Sequence, residues 1–274
     1  MTRNDAAHHF VAGPDGRQAY EDLSAEYHQT LSSPLDDMWA SFADDADPVA
    51  IMVGDELAGC ASIDQSGALH RFFVRCEFDH RADDLFHALV EHRSIDTAFV
   101  ATVDPGLLSV AVPRTQASTT VALIYRRCAA PTGGSLDGLR HGAEADHGAV
   151  VAFMISATGA PQPWLDGYIA ERIDRRELFV HENGGQIAGV GECREDRRAS
   201  GNAHLGLVIG VPQRSRGLGT KLMNALVERC ERNARTPLCS TEPGNHAARK
   251  LIRRAGFRTR HRIFRLDIAA NRQA

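Results

Sequence analysis

The 274-residue chain, with 43% apolar and 24% charged residues, has the composition of a soluble globular protein and is long enough for two domains. It contains no run of about 18 apolar residues, and its polar N-terminal stretch lacks the layout of a secretory signal, so we expect neither a membrane span nor secretion. The six cysteines form no CxxC pair and no Cys/His zinc spacing, which favours a reduced, cytoplasmic and metal-free protein.

Charge is distributed unevenly along the chain. Residues 1–130 contain nine basic and twenty acidic residues, a net charge of −11, whereas the remainder contains 22 basic and 15 acidic residues, a net charge of +7. A basic half suits a polyanionic ligand, and an acidic half suits a cationic one. The basic run from Arg249 to Arg265 has few interleaved aromatic residues, so it favours a solvated helix face over a nucleic-acid surface.

The first half of the chain predicts a helical start followed by an alternation of strands and helices. Residues 1–19 are expected to be weakly structured, and Pro34 marks a helix start. The predicted elements are helices over Tyr20–Leu31 and Leu35–Phe42, strands over Val49–Val53, Leu57–Ile63 and Leu69–Val74, a helix over Asp84–His92, a strand over Asp96–Thr102, a short helix from Pro105 and a strand over Thr119–Arg126.

The second half begins after a stretch of small and turn-forming residues, 129–148, which has the composition of a linker. A strand is predicted over Val150–Ile155 and a helix over Pro163–Arg172. Strands follow over Glu177–His181, Gln186–Cys193 and His204–Ile209.

Three segments of the first half recur, in the same order, in the second half. The pairs are VGDELAG (53–59) with NGGQIAG (183–189), DLFHALVE (84–91) with KLMNALVE (221–228), and TVDPG (102–106) with STEPG (240–244). Chance similarity would not preserve order and nearly constant spacing, so the pattern indicates an internal duplication. We predict an α/β protein with two tandem domains, residues 1–130 and 148–274, joined by a linker over 131–147.

The segment HLGLVIGVPQRSRGLGT, residues 204–220, predicts the passage from a buried strand to a helix. Glycines at the start of that helix leave backbone N–H groups unpaired, with no Cβ to keep a ligand away. Such a turn suits a diphosphate, because the N–H groups and the helix dipole both favour anionic oxygens. The alternative is an ordinary strand-to-helix turn whose glycines serve packing.

The RSRGLG spelling, an RxxGxG pattern directly after an apolar strand, resembles the acetyl-coenzyme A loop of the GCN5-related N-acetyltransferases (GNAT). The family's later motif has an Asn, a small residue, a frequent Tyr and a closing Gly-Phe, and Asn245, Ala248, Ile252 and Gly256-Phe257 occupy those places. Asn245 also fits a simple helix cap. The resemblance covers about residues 148–268 and is weaker in the first half of the chain. It implies two tandem GNAT-like units, each a mixed, mostly antiparallel sheet flanked by helices.

The resemblance implies that acetyl-coenzyme A is a cosubstrate held by the second unit. The residues expected to hold it are Leu207, Val208 and Ile209 for the pantetheine arm, if their strand splays from its neighbour, and Arg214, Ser215, Arg216, Gly217, Leu218, Gly219, Thr220, Asn245 and Arg249. In the first unit the corresponding turn, RCEFDHRADD, has no glycine and ends in Asp83 and Asp84, which would repel an anion. We expect that copy to be degenerate; the alternative is that it binds a different acyl donor.

The implied reaction is direct acetyl transfer to an amine in a ternary complex. His204 is the predicted base, because it stands where family members commonly carry a glutamate and its usual pKa near 6.5 suits the task; a structural histidine is the alternative. Glu192 and Glu195 are second choices as base. Ser240 and Cys239 are candidate proton donors, since Ile252 stands where the family often has a tyrosine and cannot protonate the leaving thiolate.

We therefore predict an N-acetyltransferase acting on a small-molecule or peptide amine, with a cationic or polyamine-like acceptor suggested by the acidic first half. The main alternative is a non-catalytic acyl-coenzyme A-binding or regulatory module. Aminoacyl transfer from tRNA, which other tandem proteins of this general fold perform, lacks an extended basic groove here. Neither a membrane nor a nucleic acid is an expected partner, and a homodimer is one option for assembly.

Overall fold

The computed structural model describes residues 6–128 and 136–269. It divides into two compact units: the described residues up to Leu123 together with those from His261 onward form unit 1, and Ile124–Arg260 form unit 2. The domain boundaries expected from the sequence stay predictions, and residues 129–135 of the linker region lie outside the described part of the chain. No helix in the described ranges is long and apolar enough to span a bilayer.

The first half of the chain contains six strands and four helices within the described residues. They are β1 (His8–Ala12), α1 (Pro14–Thr30), α2 (Asp37–Asp45), β2 (Asp47–Val53), β3 (Glu56–Ile63), β4 (Leu69–Val74), α3 (Ala82–Arg93), β5 (Thr97–Ala101), α4 (Pro105–Ala111) and β6 (Thr115–Arg127). Strands β1 to β4 pair antiparallel in sequence order, and β5 joins β4 in parallel.

The second half repeats this order of elements. They are β7 (Leu139–His141), α5 (His147–Thr158), α6 (Gln162–Asp174), β8 (Leu178–Asn183), β9 (Gln186–Glu195), β10 (Asn202–Ile209), α7 (Leu218–Arg232), β11 (Thr236–Thr241), α8 (His246–Arg254) and β12 (Phe257–Ile268). Strands β7 to β10 pair antiparallel in the same manner, and β11 joins β10 in parallel. Two mixed, mostly antiparallel α/β units in tandem are thus confirmed.

Two secondary-structure predictions are wrong. Val150–Ile155 lies in α5 rather than in a strand, since Val150, Val151 and Met154 bury one helical face and Gly159, at φ +75°, ends the helix. The β-branched run made a buried helix look like a strand. Residues 6–19 are more ordered than expected, because β1 pairs with β2 and α1 begins at Pro14; residues 1–5 lie outside the described part of the chain.

The sheet of unit 2 has a helical layer on each face. Helices α5 and α6 cover one face through an apolar cluster with the strands, formed by Val150, Val151, Met154, Leu165, Ile169, Leu178, Val180 and Val190. Helix α7 covers the other face, where Leu222 and Leu226 approach Gly189 and Gly191 so closely that a Cβ on either glycine would lie 2.9–3.3 Å from a leucine methyl group. Both layers hold β9 and β10 in place, and these strands carry the candidate site.

Candidate functional site

Strand β10 separates from β11 halfway along its length. The parallel pairing joins Asn202–His204 to Thr236–Leu238 and ends there. On the other edge, β10 stays paired with β9 as far as Ile209. Leu207, Val208 and Ile209 therefore have one edge with no strand partner in the described part of the chain. Their backbone groups can bind an extended ligand there, as an added strand would be bound.

A sharp turn follows β10 and leads into α7. Ser215 has φ +61° and Gly217 has φ +84°, so the backbone enters the left-handed region twice in three residues. Lys221 N–H donates to the Gly217 carbonyl and so marks the first full helical turn. Among the described residues, no acceptor takes the backbone N–H groups of Ser215, Arg216, Gly217, Leu218 and Gly219. These five donors lie at the positive end of a 15-residue helix, an arrangement that favours an anion.

The two glycines of this turn have different roles. A Cβ at Gly217 would meet nothing within 4 Å, so this residue is required by its left-handed conformation and leaves the turn open. A Cβ at Gly219 would lie 2.6 Å from the Leu251 Cδ1 atom of α8, so this residue is required for close helix packing. The packing alternative therefore applies to Gly219.

The two arginines of the turn also differ. The Arg214 guanidinium donates to the Ile209 carbonyl at 3.1 Å and to the Ala157 carbonyl, at the end of α5, at 2.8 Å. These two hydrogen bonds connect the turn to β10 and α5 and direct the guanidinium toward protein carbonyls. Arg216 is exposed and has no hydrogen-bond or ionic partner in the described ranges, so it is the arginine available to a phosphate.

Helix α8 lies beside the turn and carries the last predicted cofactor residues. Asn245 Oδ1 accepts from the Ala248 N–H at 3.0 Å, which makes Asn245 the N-cap of the helix. Arg249 donates to the Pro243 carbonyl at 2.8 Å. Ile252 is 3% exposed, so the position often taken by tyrosine in the family is part of the core here. Cofactor contacts by Asn245 and Arg249 stay predictions.

On the α6 face of the sheet, a cluster of three polar side chains lies beside β10. The Tyr168 hydroxyl donates to Glu192 Oε2 at 2.6 Å and accepts from Arg194 Nη1 at 2.8 Å. Glu192 pairs across the ladder with Gly206, and a Cβ on that glycine would lie 3.4 Å from Oε2. Because Gly206 has no side chain, the Glu192 carboxylate reaches the middle of β10, next to Leu207.

The environment of this cluster sets its protonation. Burial, followed by the charge of Glu192, raises the pKa of Tyr168 well above its ordinary value, so the hydroxyl stays protonated. Glu192 is only 8% exposed; its carboxylate accepts from the Tyr168 hydroxyl and lies 3.7 Å from the Arg194 Nε atom. The Trp164 ring stacks on Tyr168 with 4.8 Å between centroids and is itself 53% exposed. It forms an aromatic wall at the outer side of the cluster.

His204, the predicted base, occupies a closed environment. The residue is 1% exposed, and its Nε2 lies 3.1 Å from the Asp196 carboxylate. Its Nδ1 is buried, with no hydrogen-bond partner in the described residues. Burial raises the pKa of Asp196, but hydrogen bonds from His204 and from the Ala199 and Arg198 N–H groups outweigh it, so the net shift is downward. An imidazole held in this way has no exposed atom with which to meet a substrate.

The remaining predicted catalytic residues lie in different places. Glu195 is exposed and pairs with Arg235, near the start of β10 and away from its open edge. Ser240 is half-buried on β11, two residues beyond the last residue paired with β10. Of the predicted set, the fold therefore brings Glu192 next to the open strand and leaves Ser240 beyond the point of separation.

Sequence reasoning missed Tyr168, Arg194 and Trp164. The available signals were spacings: Trp164 and Tyr168 are four apart on a helix, and Glu192 and Arg194 are two apart on a strand, so each pair shares a face. Nothing in the sequence shows that these two faces meet.

The corresponding turn of unit 1 differs from the one that follows β10. After β4 the chain forms a 3₁₀ turn over Cys76–Arg81 and enters α3, with no positive φ among those residues. Asp83 and Asp84 occupy the first turn of α3. Residues 76–84 therefore lack the left-handed turn seen after β10, and two carboxylates stand at the start of α3.

Two family models match the chain. The acetyltransferase (GNAT) domain matches residues 17–127, and the acetyltransferase (GNAT) family matches residues 149–257. The chain belongs to the GNAT family. It carries two GNAT domains in tandem, as the RxxGxG resemblance and the duplication predicted.

Solved GNAT structures share this organisation. A GNAT-family acetyltransferase from Colwellia psychrerythraea is 26% identical, with a TM-score of 0.90 over 95% of this chain and 100% of that one. A GCN5-related N-acetyltransferase from Sphaerobacter thermophilus, 17% identical, has a TM-score of 0.62 over 98% of each chain. A tandem GNAT protein from the clavulanic acid biosynthesis pathway, solved without AcCoA, is 16% identical, with a TM-score of 0.63 over 96% and 99%. The last two show the fold alone. No functionally curated protein matches the chain.

Proposed function

We propose that unit 2 binds acetyl-coenzyme A and transfers its acetyl group to the amine of a small molecule or peptide. The observation that carries the proposal is the row of five free N–H groups from Ser215 to Gly219, located directly after the open edge of β10. An anion-binding turn next to an unpaired strand edge matches a ligand with a diphosphate at one end and an amide-rich arm at the other.

The residues present fit such a ligand. The N–H groups of the turn and the free Arg216 would hold the diphosphate, and the open edge of Leu207–Ile209 would hold the pantetheine amides. When bound, acetyl-coenzyme A supplies an acetyl group activated as a thioester. A backbone N–H on that edge of β10 would donate to the thioester oxygen, where negative charge develops during transfer.

Glu192 is the proton acceptor in this proposal. An amine lying over Gly206 reaches the Glu192 carboxylate directly or through one water molecule. As the amine nitrogen bonds to the acetyl carbon, the carbon–sulfur bond breaks, and the amine proton moves to Glu192. The Tyr168 hydroxyl holds the carboxylate in place by donating to it, and Arg194 orients that hydroxyl by donating to Tyr168. Ile252 cannot protonate the leaving thiolate. The thiolate can nevertheless leave without a dedicated acid, because free thiols have a pKa near 8.5.

His204 is a positioning residue in this scheme, because its buried pair with Asp196 fixes the loop between β9 and β10. Ser240, beyond the point where β11 leaves β10, stays a candidate donor to the thiolate.

One observation favours a second candidate, a non-catalytic acyl-coenzyme A-binding module. Ile252 is 3% exposed and replaces the family's frequent tyrosine with a core residue. A binding module would retain the turn and the open strand but would not turn over.

Two measurements test the proposal. Unfolding is followed with acetyl-coenzyme A, coenzyme A and NAD in parallel, and a ligand present at 100 times its Kd adds about 2.7 kcal/mol to the free energy of unfolding. Release of free thiol is then followed with a panel of cationic, neutral and acidic amines. Stabilisation by both coenzyme A forms with amine-dependent thiol release supports the enzyme. Stabilisation without release from any amine supports the binding module. Equal effects of NAD and acetyl-coenzyme A, or no effect of either, would contradict both.

A further inference from the structure

Unit 1 contains an open cavity of about 560 Å³ that the proposed acetyl transfer does not use. It lies between α2, the turn from β3 to β4, and β5. Its lining combines aromatic rings with carboxylates and consists of Trp39, Phe42, Asp45, Ala46, Asp47, Asp64, Gln65, Ser66, His70 and Phe99. No lysine or arginine lines it.

Four rings form a closed circuit of neighbours in this cavity. The centroid distances are 5.3 Å for Trp39–Phe42, 6.4 Å for Phe42–His70, 5.0 Å for His70–Phe99 and 5.6 Å for Phe99–Trp39. The interplanar angles are 86° at Trp39–Phe42 and 63° at Phe42–His70, whereas Trp39–Phe99 is tilted at 43° and His70–Phe99 is stacked at 20°. Phe42 is 43% exposed, so one wall of the circuit is open to a ligand.

Carboxylates surround this aromatic circuit. Asp45 and Asp47 are exposed and make no ion pair or hydrogen bond with any side chain in the described ranges. Asp64 accepts from Ser66 and from His70, the latter at 2.7 Å. Burial raises the pKa of Asp64, but these hydrogen bonds, with those from the backbone, lower it to about 2, so the carboxylate is charged at neutral pH.

Guanidinium groups lie near the cavity but outside its lining. Arg17 of α1 donates to the Asp44 and Ala46 carbonyls. Arg265 pairs with Phe99 across the ladder between β12 and β5, but its guanidinium contacts Asp267 at 3.2 Å and Thr97 at 3.5 Å. It does not line the cavity. The π faces and the carboxylates therefore contribute negative potential with no compensating guanidinium or ammonium group in the lining.

We propose that this cavity binds an alkylated ammonium head group against the Trp39, Phe42 and Phe99 rings that line it, with Asp45 and Asp47 supplying the opposite charge. Aromatic faces attract a cation whose methyl or methylene groups also gain from apolar contact, and nearby carboxylates attract the charge over a longer range. An anionic ligand would be repelled by the same groups. The site does not depend on the acetyl transfer proposed for unit 2.

The test uses Trp39 fluorescence in the full chain. Trp164→Phe removes the other tryptophan, which is exposed and lies in unit 2. The probes are choline and 3,3-dimethyl-1-butanol, a neutral isostere of choline. We expect choline to change Trp39 emission saturably and to bind at least tenfold more tightly than the isostere. Equal binding of both probes would show that the cavity is only an apolar pocket. An absence of saturable choline binding would overturn the proposal.

Two variants examine the two components separately. Asp45→Asn with Asp47→Asn is expected to weaken choline at low salt by at least threefold and to leave the isostere unchanged. Asp55→Asn with Asp79→Asn, exposed aspartates of unit 1 outside the cavity, is the control of equal charge and should change neither probe. Phe42→Leu keeps an apolar wall but removes a ring, so it should weaken choline more than the isostere. Equal loss in both double-aspartate variants would show general attraction to an acidic surface and reject the site. No acetyl-coenzyme A is present, so failure here is separate from failure of the proposed transferase activity.

Discussion

The hydroxyl of Tyr168 donates a 2.6 Å hydrogen bond to the Glu192 carboxylate. It joins helix α6 to strand β9 at the one position where the neighbouring strand carries a glycine, Gly206. A carboxylate that accepts from a hydroxyl and lies near a guanidinium, beside a glycine of the adjacent strand, is oriented as a base must be. In the proposed reaction, proton transfer is therefore given to Glu192 rather than to His204, which is only 1% exposed.

The first prediction concerns this base. Glu192→Gln keeps the shape and the Tyr168 contact but cannot accept a proton, so we expect kcat to fall about 10²- to 10⁴-fold with acetyl-coenzyme A affinity unchanged. Thiol release and calorimetric binding measure the two quantities. The matched control is Glu195→Gln, the same substitution in an exposed residue of the same strand, for which kcat should change less than twofold. A larger loss from Glu195→Gln than from Glu192→Gln would reverse the assignment.

The second prediction concerns the turn before α7. Gly217→Glu places a carboxylate among the free N–H groups, and we expect acetyl-coenzyme A affinity to fall at least tenfold. Gly184→Glu is the control, because Gly184 also has positive φ, at +61°, and open space around it. Both variants bear about 1–2 kcal/mol of backbone strain, but only the first should lose binding in a titration. Equal affinities would leave the turn without its proposed ligand.

The third prediction separates the two arginines of the turn. Arg214→Ala removes donors to the Ile209 and Ala157 carbonyls, so we expect the free energy of unfolding to fall by about 1–2 kcal/mol. Arg216→Ala removes an exposed side chain with no partner in the described ranges, so stability should stay within about 0.5 kcal/mol while cofactor affinity falls. Chemical denaturation and calorimetry give both values for each variant. If Arg216→Ala left affinity unchanged at low salt, phosphate binding by that residue would be rejected.

The fourth prediction concerns the Asp196–His204 pair. The pKa of Asp196 is lowered in the folded protein, so its ionised form stabilises the fold above the unfolded value of about 3.9, and this contribution is lost as pH falls through the folded value. Asp196→Asn should therefore cost on the order of 1–3 kcal/mol at pH 6.5, and less at pH 3.5. Urea unfolding at both pH values measures the difference. Asp174→Asn, at an exposed aspartate of the same unit, should show no such pH dependence; a cost of Asp196→Asn that grew on acidification would contradict the sign.

Local sequence patterns predict most of the fold and part of the candidate site. Repeated segments identified the tandem organisation, and the Arg-Gly sequence after an apolar strand predicted a turn with unpaired N–H groups at Gly217, because both depend on residues close in sequence. The Tyr168–Glu192 contact depends on how α6 packs on β9, which no local pattern contains. The position and residue type of His204 both favour a base, and only its burial beside Asp196 favours a different role. The sequence predicts a strand over Val150–Ile155 instead of a helix, because a fully apolar run has no period that distinguishes the two.

The separation of β10 from β11 also affects how the protein behaves in solution without a bound cofactor. Unsatisfied main-chain groups along a strand attract other extended chains, including neighbouring molecules of the same protein. A cofactor arm lying along that edge would cap it in the way a further strand does. Solutions of this protein should accordingly remain monodisperse at higher concentrations once the cofactor is supplied.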